Sequence, residues 1–229
     1  MKRVTFLIVS CAFVSACSSA HPDLGWREST LSESTKTYRI SGAYPVVVGL
    51  PEADQSNVNA AIKQLTEETL SDFRRTTAAI PQAKLKGKVS TLKVTYERAT
   101  LASDLVSFAL NIESSIAGAA NPNSYVRTFN YDFQKHSLIS IDSLLPDLEE
   151  GLQELSGKSR AILTEAARTR GTYNQNTLEL ILAGTSPEVA NFNSFLMESG
   201  SIIFLFSPYQ VAPGSEGTQR ISIPMNTLR

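Results

Sequence analysis

Side chains able to carry out chemistry are scarce in this chain of 229 residues, and their positions exclude most reaction types. The only histidines are His21 and His136, so a metal site built on two or three imidazoles cannot form inside one folded body. Cys11 and Cys17 both fall within the first seventeen residues, leaving the rest without a thiol for a disulfide, a zinc cage or a nucleophile. A serine hydrolase would have to use His136, which reads as a solvated turn residue. No G-x-S-x-G elbow exists to serve it, because Gly214-Ser215-Glu216-Gly217 is one residue too short. Phosphate-binding glycine loops are also missing, so no cofactor and no metal are expected. Glycoside chemistry needs two carboxyl groups about 5 to 9.5 Å apart. Glu97, Glu113, Asp132 and Asp142 lie in or beside expected strands, but a solvated sheet face explains them more simply, and no catalytic residue is assigned. With 21 basic against 22 acidic residues and no basic block, nucleic acid is excluded as a partner.

The N-terminus carries a more specific signal. Lys2 and Arg3 precede a mostly apolar stretch from Val4 to Val14, too short to span the roughly 30 Å of hydrocarbon that needs about 20 helical residues. Residues 1–16 therefore read as a signal peptide. Val14-Ser15-Ala16-Cys17 resembles the lipobox of bacterial lipoproteins, a branched apolar residue and two small ones before a cysteine. The resemblance implies that Cys17 becomes the N-terminus and carries diacylglycerol and acyl (palmitate-type) chains, each buried CH₂ contributing about 0.8 kcal/mol to a membrane anchor. Ser18 stands where an aspartate would retain such a protein at the inner membrane, which implies the outer membrane facing the periplasm.

Residues 17–36, rich in Ser, Thr and Glu, read as a tether, with Trp26 available to dock on the domain or the bilayer. The folded body is expected over 37–229, as an N-terminal module (37–120) and a C-terminal module (121–229). Tyr38–Gly49 reads as extended. Val58, Ile62, Leu65, Leu70 and Phe73 then recur at helical spacing on one face, a stripe that requires a sheet beneath it. Ser90–Thr100, Leu105–Ile116 and Ser124–Phe133 alternate like strands of an antiparallel meander. A second amphipathic helix carries Leu148, Leu152, Leu155, Ile162, Leu163 and Ala166, weakened by Gly151 and Gly157 at about 1 kcal/mol each. Strands are expected again at Asn191–Met197, Ser201–Phe206 and Gln219–Ile223. The fold class is α+β: a mostly antiparallel sheet with two principal helices packed on it.

Two segments resemble a known family. Phe129-Asn130-Tyr131-Asp132, the turn at Lys135-His136 and Ile139–Leu145 resemble the opening of the extracytoplasmic domain shared by the peptidoglycan deacetylase PdaC and the anti-sigma factor RsiV. Ser201–Phe206, the loop Ser207-Pro208-Tyr209-Gln210-Val211-Ala212-Pro213, Gly217 and Ile221–Pro224 resemble its closing strand, loop and final strand. Tyr44-Pro45, Gly49-Leu50 and the helix around Asn59 resemble the small module that commonly precedes it. Neither the separate deacetylase domain nor the sigma-binding segment of those proteins is expected in this chain. The resemblance thus implies an envelope binding domain, with lysozyme or peptidoglycan as ligand and Tyr209, Gln210, Pro213 and Glu216 as ligand-contacting candidates. Read from the residues alone, the same prolines and glycines redirect the chain and Tyr209 plugs a sheet edge. A peptidoglycan hydrolase using paired carboxylates, or an envelope scaffold, remains as an alternative.

Overall fold

The computed structural model describes residues 23–81 and 87–228. The expected signal peptide, Cys17 and His21 lie outside the described residues. Strands are β1 (Gly25–Ser34), β2 (Tyr38–Val48), β3 (Ser90–Leu101), β4 (Leu105–Ser115), β5 (Asn123–Asp132), β6 (Ser137–Leu138), β7 (Phe195–Glu198), β8 (Ser201–Phe206) and β9 (Gln219–Pro224). The helices are α1 (Glu52–Ala78), α2 (Leu148–Arg170) and α3 (Gln175–Gly184). Strands β1 to β6 form one sheet in chain order and β7 to β9 a second. The α+β expectation holds, with the strands divided between two sheets rather than gathered in one.

The first correction concerns the tether. Residues 25–34 are not linker: they pair antiparallel with β2 from Gly25↔Val48 to Ser34↔Arg39. Trp26 and Leu31 pack on the first core, and Trp26 meets Phe108 edge-on at 6.0 Å. The polar residues between them face solvent on an edge strand, where charge and hydroxyls discourage pairing with other chains.

From β2 the chain crosses through α1 and returns as β3, parallel to β2. Parallel neighbours need such a crossover. Its buried stripe, Val58, Ile62, Leu70 and Phe73, covers Ile40, Leu92, Phe108, Leu110, Ile112 and Phe129 of the sheet. Asn59 reaches down from α1 to β2, its Oδ1 accepting from Val47 N–H at 2.9 Å and its Nδ2 donating to Val47 C=O at 2.8 Å. Strands β3, β4 and β5 form the expected meander, with a bulge between Arg98 and Thr100.

Because β5 and β6 complete this first sheet, the change of core falls between Phe133 and Ile141, not at residue 120. Beyond it, α2 and α3 cover one face of the second sheet around Leu155, Leu163, Ile181, Phe192, Phe204 and Phe206. Asn174 caps α3, its Oδ1 accepting from Thr177 N–H at 3.0 Å. That helix is too short, at ten residues, to show much periodicity and was not expected. Asn191–Met197, expected as one strand, splits into a 3₁₀ turn at Val189–Phe192 and the short strand β7.

The two sheets meet edge to face. The side of β7 that does not pair with β8 stands on the outer face of the first sheet, and its backbone is satisfied by side chains there. Phe195 N–H donates to Thr128 Oγ1 (3.1 Å) and Phe195 C=O accepts from Asn130 Nδ2 (2.8 Å). Met197 N–H donates to Ser107 Oγ (2.9 Å) and its C=O accepts from Thr100 Oγ1 (2.6 Å). This explains why Ser107 and Asn130 are polar yet buried. Beside them Ala109, Val126, Leu196 and Leu205 form a small apolar seam.

The two glycines of α2 separate under packing. A Cβ on Gly151 would meet Leu145 at 2.9 Å, whereas one on Gly157 would meet nothing within 4 Å. Gly157→Ala should therefore raise stability by about 1 kcal/mol through helix propensity alone, read as a higher denaturant midpoint with an unchanged slope. No gain would mean that Gly157 serves something other than the helix.

Candidate functional site

The loop after β8 is held on all sides. Gln210 N–H donates to Ser207 C=O (3.0 Å), and Gln210 Oε1 accepts from Ser207 N–H (3.2 Å). The other end of that amide, Nε2, donates to Gly184 C=O (3.3 Å) and Asn191 C=O (3.1 Å). Val211 is buried in the second core, and Ala212 is buried too. Glu216 is ion-paired to Arg170 at the end of α2, with Nε and Nη2 each 3.1 Å from its Oε2.

Of the four candidates, Gln210 and Glu216 are thus spent on holding the loop, and Pro213 leads into the 3₁₀ turn Gly214–Glu216. Tyr209 is different. Its backbone sits at φ +70, a conformation that bulky side chains rarely adopt. The ring rests on Gly214, where an added Cβ would lie 2.1 Å from Cζ, and the residue is 66% exposed. The fold therefore presents an aromatic ring on a fixed loop.

The four carboxylates do not assemble. In the register of the sheet Glu97 is level with Ala109, Glu113 with Lys93 and Asp132 with Leu105. Glu113 and Asp132 are thus each four residues from Glu97 in opposite directions, about 13 Å at the usual strand rise. Glu97 is ion-paired to Arg220. Asp132 Oδ1 accepts from Gln134 and Lys135 N–H and so shapes the β5–β6 turn. Asp142 lies in the 3₁₀ turn Ile141–Ser143 beyond the sheet. His136, in that β5–β6 turn, faces Asp54 with Nδ1 3.2 Å from Oδ1. Among the described residues no three His, Cys, Asp or Glu side chains group as a metal site.

A cleft of about 300 Å³ that sequence reasoning missed lies beside β5, walled by Ala61, Gln64, Leu65 and Glu68 of α1 and by residues 138–141. Arg127 closes one end: its Nη2 is 2.9 Å from Glu68 Oε2, and Nη1 donates to Thr69 Oγ1 at 3.0 Å. Hydrogen bonds from Arg127 and then Gln64 hold the Glu68 carboxyl below the usual glutamate range. A similar cluster ties β1 to α1, where Arg74 bridges Glu33 and Glu67, and Tyr38 Oη donates to Glu33. Arg74 first, then Tyr38, lowers the Glu33 pKa.

A carboxyl whose folded pKa is depressed stabilises the protein above its unfolded value, and that contribution is lost as pH falls through the folded one. Stability should therefore fall below the ordinary glutamate value of 4.5. Glu33→Gln should flatten that fall in thermal midpoints taken from pH 6 to pH 3; an unchanged acid profile would show that the bridge contributes nothing.

The described residues thus define an α+β protein of two sheets, helix-covered, with an exposed aromatic on a fixed loop and a separate polar cleft. Residues 142–226 match the family described as "Protein of unknown function (DUF3298)". It is 28% identical over 207 residues to the peptidoglycan-N-acetylmuramic acid deacetylase PdaC of Bacillus subtilis strain 168, a match covering 87% of this chain. The chain spans about 40% of the length of that relative. Two solved DUF3298 proteins share the fold. One, from Bacteroides fragilis NCTC 9343, has a TM-score of 0.62 at 15% identity, covering 90% of this chain and 93% of that one. The other, from Pseudomonas aeruginosa PAO1, has a TM-score of 0.55 at 14% identity, with the same 90% and 93% coverage.

Proposed function

We propose that the protein is a lipoprotein of the outer membrane facing the periplasm, held there by lipid on Cys17, and that its body is a non-catalytic binding domain for peptidoglycan. Tyr209 carries the reading. An aromatic that is two-thirds exposed, in a backbone conformation costing free energy and fixed by Gln210, Gly214 and the Glu216–Arg170 pair, suits an anchor that is rigid before its ligand arrives. The relative that acts on peptidoglycan supports the choice of ligand. The dispersal of Glu97, Glu113, Asp132 and Asp142 supports binding over hydrolysis.

The full chain, extracted in detergent, should co-sediment with purified peptidoglycan sacculi. Tyr209→Ala should weaken that binding by about 2 kcal/mol, roughly thirty-fold, while the thermal midpoint holds. Equal binding by the variant would remove Tyr209 from the site. Binding to lysozyme with none to sacculi would replace the glycan by a hydrolase as ligand. Release of labelled fragments from sacculi by the wild type would establish an enzyme instead. Cys17→Ser should abolish lipid labelling and free the protein from membranes.

A further inference from the structure

Strand β9 ends the second sheet, and its outer edge is open. Met225 N–H donates to Gly200 C=O (2.9 Å) on one side of β8 and Leu205 N–H to Ser194 C=O (2.8 Å) on the other, which fixes the phase of both ladders. Gln219, Ile221 and Ile223 thus bond to β8, while Arg220 and Ser222 turn their N–H and C=O outward. Those outward groups meet no hydrogen-bond partner among the described residues. The open stretch stops at Pro224, which has no N–H and whose C=O accepts from Thr227 Oγ1 (2.7 Å).

Helix α2 overhangs this edge. Lys158 Nζ donates to Thr227 C=O just past β9, and Arg170 is paired to Glu216 just before it, so about 18 Å of helix runs antiparallel along about 17 Å of strand. Lys158, Ile162, Ala166 and Arg170 form one i, i+4 row. Between its clamped ends that row shows Ile162, 39% exposed, and the half-buried Ala166. An apolar shelf beside unpaired backbone is a setting in which a sheet takes on a further strand. Edge strand β1 differs, because the exposed charges of Arg27 and Glu28 mark it against pairing.

The occupant that the β9 edge fits is its own copy. A two-fold axis through Ile221 sets Arg220 of one copy opposite Ser222 of the other, so that every open N–H meets an open C=O and the ladder stops at Pro224 on both sides. Ile221 then meets its counterpart on the helix-covered side of the sheet. Such an axis stands perpendicular to the sheet, which brings both α2 rows to the same side, Ile162 of each against Ala166 of the other. Arg220 is paired to Glu97, Lys158 to Glu154 and Arg170 to Glu216, so the cations along the edge are neutralised before the copies meet. An unrelated extended peptide would find the same backbone groups, but it would match neither the stop at Pro224 nor the fit of Ile162 to Ala166 from its own side.

We propose that two copies of this chain pair through β9, antiparallel about Ile221, joining their second sheets into one continuous sheet with the two α2 helices side by side.

The test is sedimentation of the purified full chain in detergent over a range of concentrations, repeated with Cys17→Ser to exclude pairing through lipid, with amide hydrogen exchange of the same samples. The wild type should pass from one copy to two as concentration rises, and the Arg220 and Ser222 amides should become protected in step. Ser222→Pro removes only an outward N–H, which an edge strand tolerates, and should weaken association roughly tenfold or more. Ile162→Lys, on the exposed row of α2, should do the same, whereas Leu182→Lys, 44% exposed on α3, should leave association unchanged. A chain that stays single at every concentration overturns the inference, as do pairs that survive both Ser222→Pro and Ile162→Lys, or pairs whose Arg220 and Ser222 amides exchange freely. Equal loss of association in Leu182→Lys overturns it too, because general apolar contact would then hold the copies. Protection of Ser222 in a single copy by an added extended peptide of unrelated sequence would give the edge to a foreign strand instead.

Discussion

Phe204→Ala and Phe206→Ala should each lower the stability of the protein by about 3 to 5 kcal/mol, seen as a fall in both thermal and denaturant midpoints. Both rings are fully buried on β8, on the side covered by α2 and α3. Phe192 meets Phe204 edge-on at 5.4 Å and Phe206 at 6.2 Å, while Phe195 lies 6.2 Å from Phe204. Removing either central ring leaves a void among other rings that cannot collapse into it without breaking their own contacts. Leu205, on the opposite side of the same strand, belongs to the seam between the sheets, so Leu205→Ala should act on sheet docking. Unchanged midpoints in both phenylalanine variants would mean that β8 is not the centre of the second core.

The same strand shows why parts of this fold can be read from sequence and parts cannot. Ile202, Phe204 and Phe206 alternate with Ile203 and Leu205 in an unbroken apolar run, which a strand buried on both faces requires. Helix α1 is legible for the matching reason, its apolar stripe repeating over about four turns from Val58 to Phe73. Strand β1 was hidden because only Trp26 and Leu31 face the core, and the polar residues around them have the composition of a linker. The division into two sheets was hidden because the contacts that define it are hydroxyl and amide groups, Thr100, Ser107, Thr128 and Asn130, meeting a backbone nearly seventy or more residues away. No local pattern encodes that pairing. The loop from Pro208 to Gly217 was legible as a fixed turn, and Tyr209 as its aromatic, but only the structure shows Gln210 and Glu216 committed to holding it. The cleft depends on α1, β5 and residues 138–141 coming together, so it has no signature in any one segment.

Gly184→Ala should lower stability by about 1 to 3 kcal/mol and also disturb the exposed loop, although it adds a single methyl group. Gly184 ends α3, and a Cβ there would lie 2.0 Å from Gln210 C=O and 2.8 Å from Val211 Cγ1. The obstacle is backbone, so relief requires the loop itself to move outward. Such a shift would stretch the bonds from Gln210 Nε2 to Gly184 and Asn191 and lift the buried Val211 from the second core. Tyr209, held at positive φ by the turn that begins at Ser207, would lose the constraint that fixes its ring on Gly214. The variant should therefore lose sacculus binding even at temperatures where it remains folded, with faster amide exchange confined to residues 207–217. The contrast with Gly157→Ala makes the test specific: the same chemical change in open space should stabilise, and against the loop backbone should destabilise. Should both substitutions prove neutral, the close approach of α3 to the loop would not hold in solution, and with it would go the reason for regarding Tyr209 as pre-set for a ligand.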